Sequence, residues 1–181
     1  MTAENLEAAK DMARKSVVLL KNENQLLPLD KNIKTIAVIG PLGDGRRELI
    51  GSWSAAGDWT KAVTLVEGLQ QRFPNTTILY EKGCDIQSDD KSGFQAAVQA
   101  ARKADVVLLA LGEAYWMSGE AASRSVIDLP GLQQELAETI HATGKPVVSI
   151  IMSGRPLTIN WLAENTNALL QAWFLGTTSG H

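Results

Sequence analysis

Cysteine is nearly missing from this sequence. Cys84 is the one thiol in 181 residues, so neither an intrachain disulfide nor a thiolate metal cluster can form. The thiol itself reads as a small buried apolar side chain. Histidine is almost as scarce. His141 falls near the end of a predicted helix, where an imidazolium suits the dipole, and His181 closes the sequence. With no third ligand in view, no metal site is expected, and no cofactor. Charge is not one-sided either. The 17 Lys and Arg against 20 Asp and Glu leave a net −3, without the basic stripe that neutralises phosphates. Nucleic acid is therefore not an expected partner. No apolar run reaches the roughly 20 residues of a membrane span, and no basic-then-apolar leader opens the sequence. The reading is of a soluble chain with no signal peptide and no membrane partner.

Three sequence motifs are also absent. Gly40, Gly43 and Gly45 invite a phosphate-cradling reading, but Arg46 and Arg47 follow where a Walker loop needs Lys and Ser or Thr. The dinucleotide spacing G-x-G-x-x-G fails as well, because two residues separate Gly40 from Gly43. Ser153, in MSGRP, follows a predicted strand but lacks the G-x-S-x-G elbow. Arg155 beside it reads as a positioning group for a loop carboxylate or a partner domain.

What is present is an ordinary globular composition, 45% apolar and 20% charged, in a length suited to one well-cored domain. Leu6, Ala9, Ala13, Val17 and Leu20 recur at helical spacing, which predicts an amphipathic helix over residues 2–21. After a turn at residues 24–28, strands and helices alternate. Predicted strands are TIAVI at residues 35–39, residues 77–80, DVVLLAL at residues 105–111, PVVSIIM at residues 146–152 and ALLQAWF at residues 168–174. Predicted helices cover residues 63–73, 93–103, 130–143 and 157–163. Strands apolar on both faces and separated by single helices imply a mostly parallel sheet covered on both sides. The expected fold is α/β, a three-layer doubly wound sandwich of about five strands. Function in such folds collects beyond the carboxyl ends of the strands.

Two connections there are too long for ordinary strand-to-helix loops of roughly 2–6 residues. Residues 112–129, GEAYWMSGEAASRSVIDL, carry Glu113, Glu120, the aromatic pair Tyr115 and Trp116, and Arg124. A carboxyl group beside aromatic surface suits glycoside chemistry, because desolvation lets it hold a proton near neutrality and flat rings stack on sugar faces. A merely solvated loop is the competing reading. Residues 40–59 carry Trp53 and Trp59, read as contacts for a sugar or a neighbouring domain, or as pins holding the loop to the core.

Taken together, ARKSVVLLKNENQLLPL, IAVIGPLGDGRRELIGSWSAAG, SGEAASRSVIDLPGLQQEL, VVSIIMSGRPL and WFLGTTSGH resemble the family-3 glycoside hydrolases, nearest to bacterial β-glucosidases of the periplasmic type. The resemblance runs collinearly through essentially the whole chain. It implies a two-domain active site in which a (β/α)8 barrel supplies the aspartate nucleophile and most sugar contacts, and the α/β sandwich supplies the acid/base. By that resemblance Glu120, in SGEAASR, is the catalytic acid/base and Arg124 its positioning partner. Glu113, Tyr115, Trp116 and Trp53 become substrate-binding or supporting residues. The block departs from the family's usual Gly-x-Asp-Arg at residues 121–124, and Tyr115 and Trp116 are bulkier than is common there, changes that bear on the leaving-group side of the pocket.

The implied partners are the barrel and a β-glucoside or oligosaccharide, and the implied location is periplasmic or secreted. Residues 1–30 are expected to be a linker helix and lead-in from the barrel, and residues 31–181 a sandwich domain truncated at its C-terminus. Uncovering ~400 Å² of apolar surface would cost on the order of 10 kcal/mol, comparable to a whole domain's stability. Marginal stability or self-association is therefore expected. Without its partner domain, the loop at residues 112–129 is expected to be mobile and the chain inactive. The alternatives are a non-catalytic carbohydrate-binding or structural module, and a free-standing nucleotide- or flavin-binding domain.

Overall fold

A computed structural model describes residues 2–181. The chain opens with α1 (Ala3–Ser16), capped by the Thr2 hydroxyl, which accepts from the Asn5 amide at 3.2 Å. The helix stops at Ser16, not near residue 21 as the periodicity predicts. Residues 18–22 instead form β1 (Val18–Asn22), antiparallel to the last strand. The spacing of Val17 and Leu20 fits both a helix and a strand, and β-branched residues at 17 and 18 favour extended backbone. Pairing with a sheet edge decides between them.

The remaining strands are β2 (Thr35–Ile39), β3 (Thr77–Glu81), β4 (Val106–Gly112), β5 (Val147–Met152) and β6 (Ala168–Gln171). Between them lie α2 (Leu65–Arg72), α3 (Phe94–Lys103), α4 (Gln133–His141) and α5 (Asn160–Asn165). The sheet has six strands in the order β1-β6-β5-β4-β2-β3, and all pairings but β1 with β6 are parallel. The sixth strand is the antiparallel edge formed by the reassigned residues.

Every residue of β4 is buried. Its side chains alternate, with Val107, Leu109 and Leu111 packing among α3, α4 and α5, while Val106, Leu108 and Ala110 pack toward α2 and the loop at Leu42 and Leu49. Strands buried on both faces lose the polar alternation of a half-exposed sheet. That is why they read as continuous apolar runs. On the α2 face, Ile150 and Leu170 are only half-buried and border a small apolar cavity of about 140 Å³.

The order of strands reverses between β2 and β4, so the chain leaves these neighbours toward opposite faces of the sheet. Such a switch point opens a crevice at the carboxyl ends. The two long loops, residues 40–64 and 113–132, start there.

Cys84 lies just past β3 and is 5% exposed. Burial pushes its thiol up to about 11. Because only the thiolate attacks a disulfide reagent, the native chain at pH 8 should react at least ~100-fold more slowly than a free thiol of pKa ~8.5. Reaction with an aromatic disulfide, followed by absorbance with and without urea, checks this, and full reactivity should appear only on unfolding.

Candidate functional site

Glu113 is the first residue beyond β4, and its backbone N–H donates to the Met152 carbonyl at 2.9 Å. Continuing the strand pairing in this way turns the side chain inward, and Glu113 is fully buried. Its Oε1 accepts a hydrogen bond from Arg124 Nη1 at 2.7 Å and lies 3.1 Å from Arg155 Nε. The second contact is an ion pair without hydrogen-bond alignment, since Arg155 Nε and Glu113 Oε2 each lack a hydrogen-bond partner among the described residues. One carboxylate thus holds two guanidinium groups, one from its own loop and one from the turn after β5.

Both arginines reach further. Arg124 Nη2 donates to the Asp128 carbonyl at 2.9 Å. Arg155 Nη2 donates to the carbonyl of Met117 and, at 3.4 Å, to that of Ala122. Arg47, from the loop after β2, lies with its guanidinium carbon 3.4 Å from the centroid of the Tyr115 ring, a cation–π contact. The two long loops are therefore joined above the switch point.

The loop rises from these anchors to a tight turn. Gly119 and Ala121 have φ of 107° and 57°, and the Ala122 amide donates to the Gly119 carbonyl at 3.3 Å. A positive φ favours glycine at the first of these positions. Glu120 occupies the turn between them and is exposed. Among the described residues its carboxylate has neither a hydrogen bond nor an ion pair. Arg124, expected to position Glu120, pairs with Glu113 instead.

Two clefts flank the turn. One, of about 290 Å³, is lined by Ser52, Trp53, Ser118, Gly119, Trp173 and Phe174. The other, of about 590 Å³, is lined by Trp116, Ala121, Ala122, Arg124 and Val126 together with Gln87. Trp53 and Trp116 are 75% and 55% exposed, and each lines one of the two clefts. Arg47 covers one face of the half-buried Tyr115 ring. Trp59, 43% exposed, opens a short helical turn at residues 59–61.

Other sequence candidates have structural work. Ser153 is buried, donating to the Arg155 carbonyl at 2.7 Å and accepting from Gln171 Nε2 at 3.0 Å, so its hydroxyl is not presented as a nucleophile. His141 ends α4 and meets the Trp161 ring edge-on at 5.6 Å. The glycines after β2 serve packing. A Cβ on Gly40 would sit 2.3 Å from the Ala110 carbonyl oxygen, and one on Gly43 2.7 Å from Val38 Cγ1. These contacts account for both glycines without a ligand. Among the described residues no group of three or more His, Cys, Asp or Glu could hold a metal ion, and no helix is long and apolar enough to cross a membrane.

Sequence reasoning missed one residue of weight here. Gln133 is fully buried at the start of α4. It accepts from the Gly112 amide at 2.8 Å and donates to the carbonyls of Gly112, Pro130 and Ile86 at 2.8, 3.2 and 3.1 Å. It fixes the end of β4 from which Glu113 projects. A polar residue opening an otherwise amphipathic helix on its apolar face was the available signal.

Residues 17–181 match the glycosyl hydrolase family 3 C-terminal domain. A beta-xylosidase from Formosa agariphila is 42% identical over 185 residues, covering 99% of this chain and 26% of the relative. The periplasmic beta-glucosidase of Salmonella typhimurium is 42% identical over 194 residues, covering 96% of this chain and 25% of the relative. The crystal structure of a beta-glucosidase from Listeria innocua in complex with isofagomine superposes with a TM-score of 0.93 at 37% identity, over 99% of this chain and 24% of that one. The chain spans about a quarter of the length of the curated relatives it matches.

Replacing Glu113 by Gln keeps the shape but leaves two guanidinium groups without their anion. Removing one partner of a buried ionic cluster is costly, so Glu113→Gln should lower stability by about 2–4 kcal/mol. Urea denaturation followed by tryptophan fluorescence measures the loss, and a change below ~0.5 kcal/mol would contradict the arrangement.

Proposed function

The chain belongs to the C-terminal domains of family 3 glycosyl hydrolases, and from that premise we propose that it is the sandwich domain of a retaining β-glucosidase, to whose active site it contributes Glu120 as general acid/base. The observation that carries the reading is the setting of Glu120. It is an exposed carboxylate at the tip of a turn, on a loop anchored from below by buried charges, with a tryptophan-lined cleft on either side of the turn. Among the described residues nothing engages it, which leaves it accessible to a substrate held by a partner domain.

The chemistry requires two carboxyl groups about 5–5.5 Å apart across the glycosidic bond. In the first step the nucleophile, an aspartate supplied by a separate barrel domain of the same protein, attacks the anomeric carbon. Glu120 gives its proton to the departing oxygen, the carbon–oxygen bond breaks, and the leaving group departs as an alcohol. In the second step the Glu120 carboxylate takes a proton from water, whose oxygen attacks the same carbon and releases the aspartate. Configuration is retained after two inversions. Trp53 and Trp116 stack on sugar faces in the flanking clefts, and Arg124 supports the loop through Glu113. Similarity to a periplasmic beta-glucosidase supports a periplasmic or secreted location. The substrate is a terminal β-D-glucosyl residue, to be compared with β-xylosides because the beta-xylosidase relative is equally similar.

The decisive experiment is Glu120→Ala in the intact enzyme. Turnover of β-glucosides with alkyl or sugar leaving groups should fall ~10²–10⁴-fold, the usual contribution of a positioned acid. A 2,4-dinitrophenyl leaving group needs no proton and should be spared in the first step, and azide should accelerate turnover with formation of the β-glycosyl azide. Unchanged kinetics would reject the assignment. The 181-residue chain alone should give no measurable hydrolysis of nitrophenyl β-glucoside, because a proton donor without a nucleophile supplies only part of the rate.

A further inference from the structure

We infer that Glu113 is the positioning residue of the acid/base loop, acting through Arg155 and Arg124 and never touching substrate, an inference that rests on the proposed role of Glu120. Glu113 is fully buried, which leaves no surface on which a sugar hydroxyl could bind. It is not an ordinary core residue either, since an apolar side chain of that size would fill the position without the desolvation cost of a charge. What the charge accomplishes is to orient two guanidinium groups whose remaining donors point into the loop.

The geometry of those donors is specific. Arg155 Nη2 reaches the carbonyls of Met117 and Ala122, one on each limb of the turn, so the two contacts bracket Glu120. Arg124, held by Oε1 of the same carboxylate, secures the descending limb at the Asp128 carbonyl. The tip between these anchors is closed by its own turn hydrogen bond. The position of the turn that carries Glu120 therefore follows from where Arg155 lies, and Arg155 lies where Glu113 draws it.

Proton transfer to a leaving oxygen requires heavy atoms about 2.6–3.2 Å apart, and a misplacement of ~1 Å can cost ~10²-fold. Weakening the clamp should therefore affect the steps that depend on the acid and spare those that do not. A purely structural defect would instead lower every substrate's turnover alike, through loss of folded enzyme.

The test uses the intact enzyme in three variants, Glu113→Gln, Arg155→Lys and Glu120→Ala, each checked for folding by near-ultraviolet circular dichroism. Lysine at 155 keeps a charge but has a single nitrogen, which cannot sit beside Glu113 and also reach the Met117 and Ala122 carbonyls, as Arg155 does through Nε and Nη2. For Glu113→Gln and Arg155→Lys we expect kcat with alkyl β-glucosides to fall ~10–100-fold, kcat with 2,4-dinitrophenyl β-glucoside to stay within ~3-fold while the first step limits the rate, and KM to change little. Equal losses for both leaving groups, or no loss, would overturn the inference. Should Glu113→Gln fail to fold, Arg155→Lys decides by the same criteria. If Glu120→Ala shows no dependence on leaving group, the acid/base reading itself has failed. If it shows that dependence and the other two variants do not, only the role of Glu113 is rejected.

Discussion

A carboxylate removed from water at the end of the central strand is the constraint around which this end of the molecule is organised. The effective cost of burying such a charge is several kcal/mol. It is sustained only because two guanidinium groups converge on one of its oxygens. Those arginines come from different segments, one 11 residues further along the loop and one from the turn after β5. Folding the loop back onto Glu113 closes a ring whose length-dependent entropy is about 2 kcal/mol, the order of one or two hydrogen bonds to charged groups. Neither the buried charge nor the ordered loop is stable alone. Each is the condition for the other.

The topology explains why these parts can meet. β4 lies between β2 and β5, so its carboxyl end is flanked by the loops of both neighbours. From the β5 side comes Arg155. From the β2 side comes Arg47, which covers Tyr115. Gln133 braces the strand end from the helix that follows. The reversal of strand order between β2 and β4 leaves room above the sheet, and the long loops occupy that room instead of covering a helix. At the crevice that binds a nucleotide in other doubly wound domains, the glycines here pack against β4 and β2, and the two loops are joined through Arg47 and Tyr115.

Much of this was legible in the sequence, and the failures have physical causes. The parallel strands announced themselves because burial on both faces removes polar alternation, as in the run from Val106 to Leu111. The two functional loops stood out by length, and the candidate residues Glu113, Glu120, Trp53, Trp116, Arg124 and Arg155 all lie at the carboxyl edge of the sheet. The first strand was hidden because Val17 and Leu20 satisfy a helical period, and only the distant partner β6 selects the extended form. The pairing of Arg124 was equally hidden. Spacing puts it four residues from Glu120 and 11 from Glu113, and sequence proximity favours the nearer carboxylate. Burial of Glu113, a consequence of the strand pairing through Met152, reverses that preference. Gln133 escaped because its four contacts are to backbone atoms, which no residue type announces, and its place on the apolar face of α4 was the one trace it left.

The contrast between the two glutamates suggests how labour is divided on the proposed reading. To hold a proton near neutrality a carboxyl group must be shielded from water or set beside another negative charge. Glu113 has the shielding, but its Oε1 is engaged by two guanidinium groups. Glu120 has the freedom but faces solvent. The sandwich therefore contributes aim, and the surface that faces the turn has to contribute desolvation and the second carboxylate. On that reading the work is divided between the fold that presents the carboxyl group and the surface that closes over it.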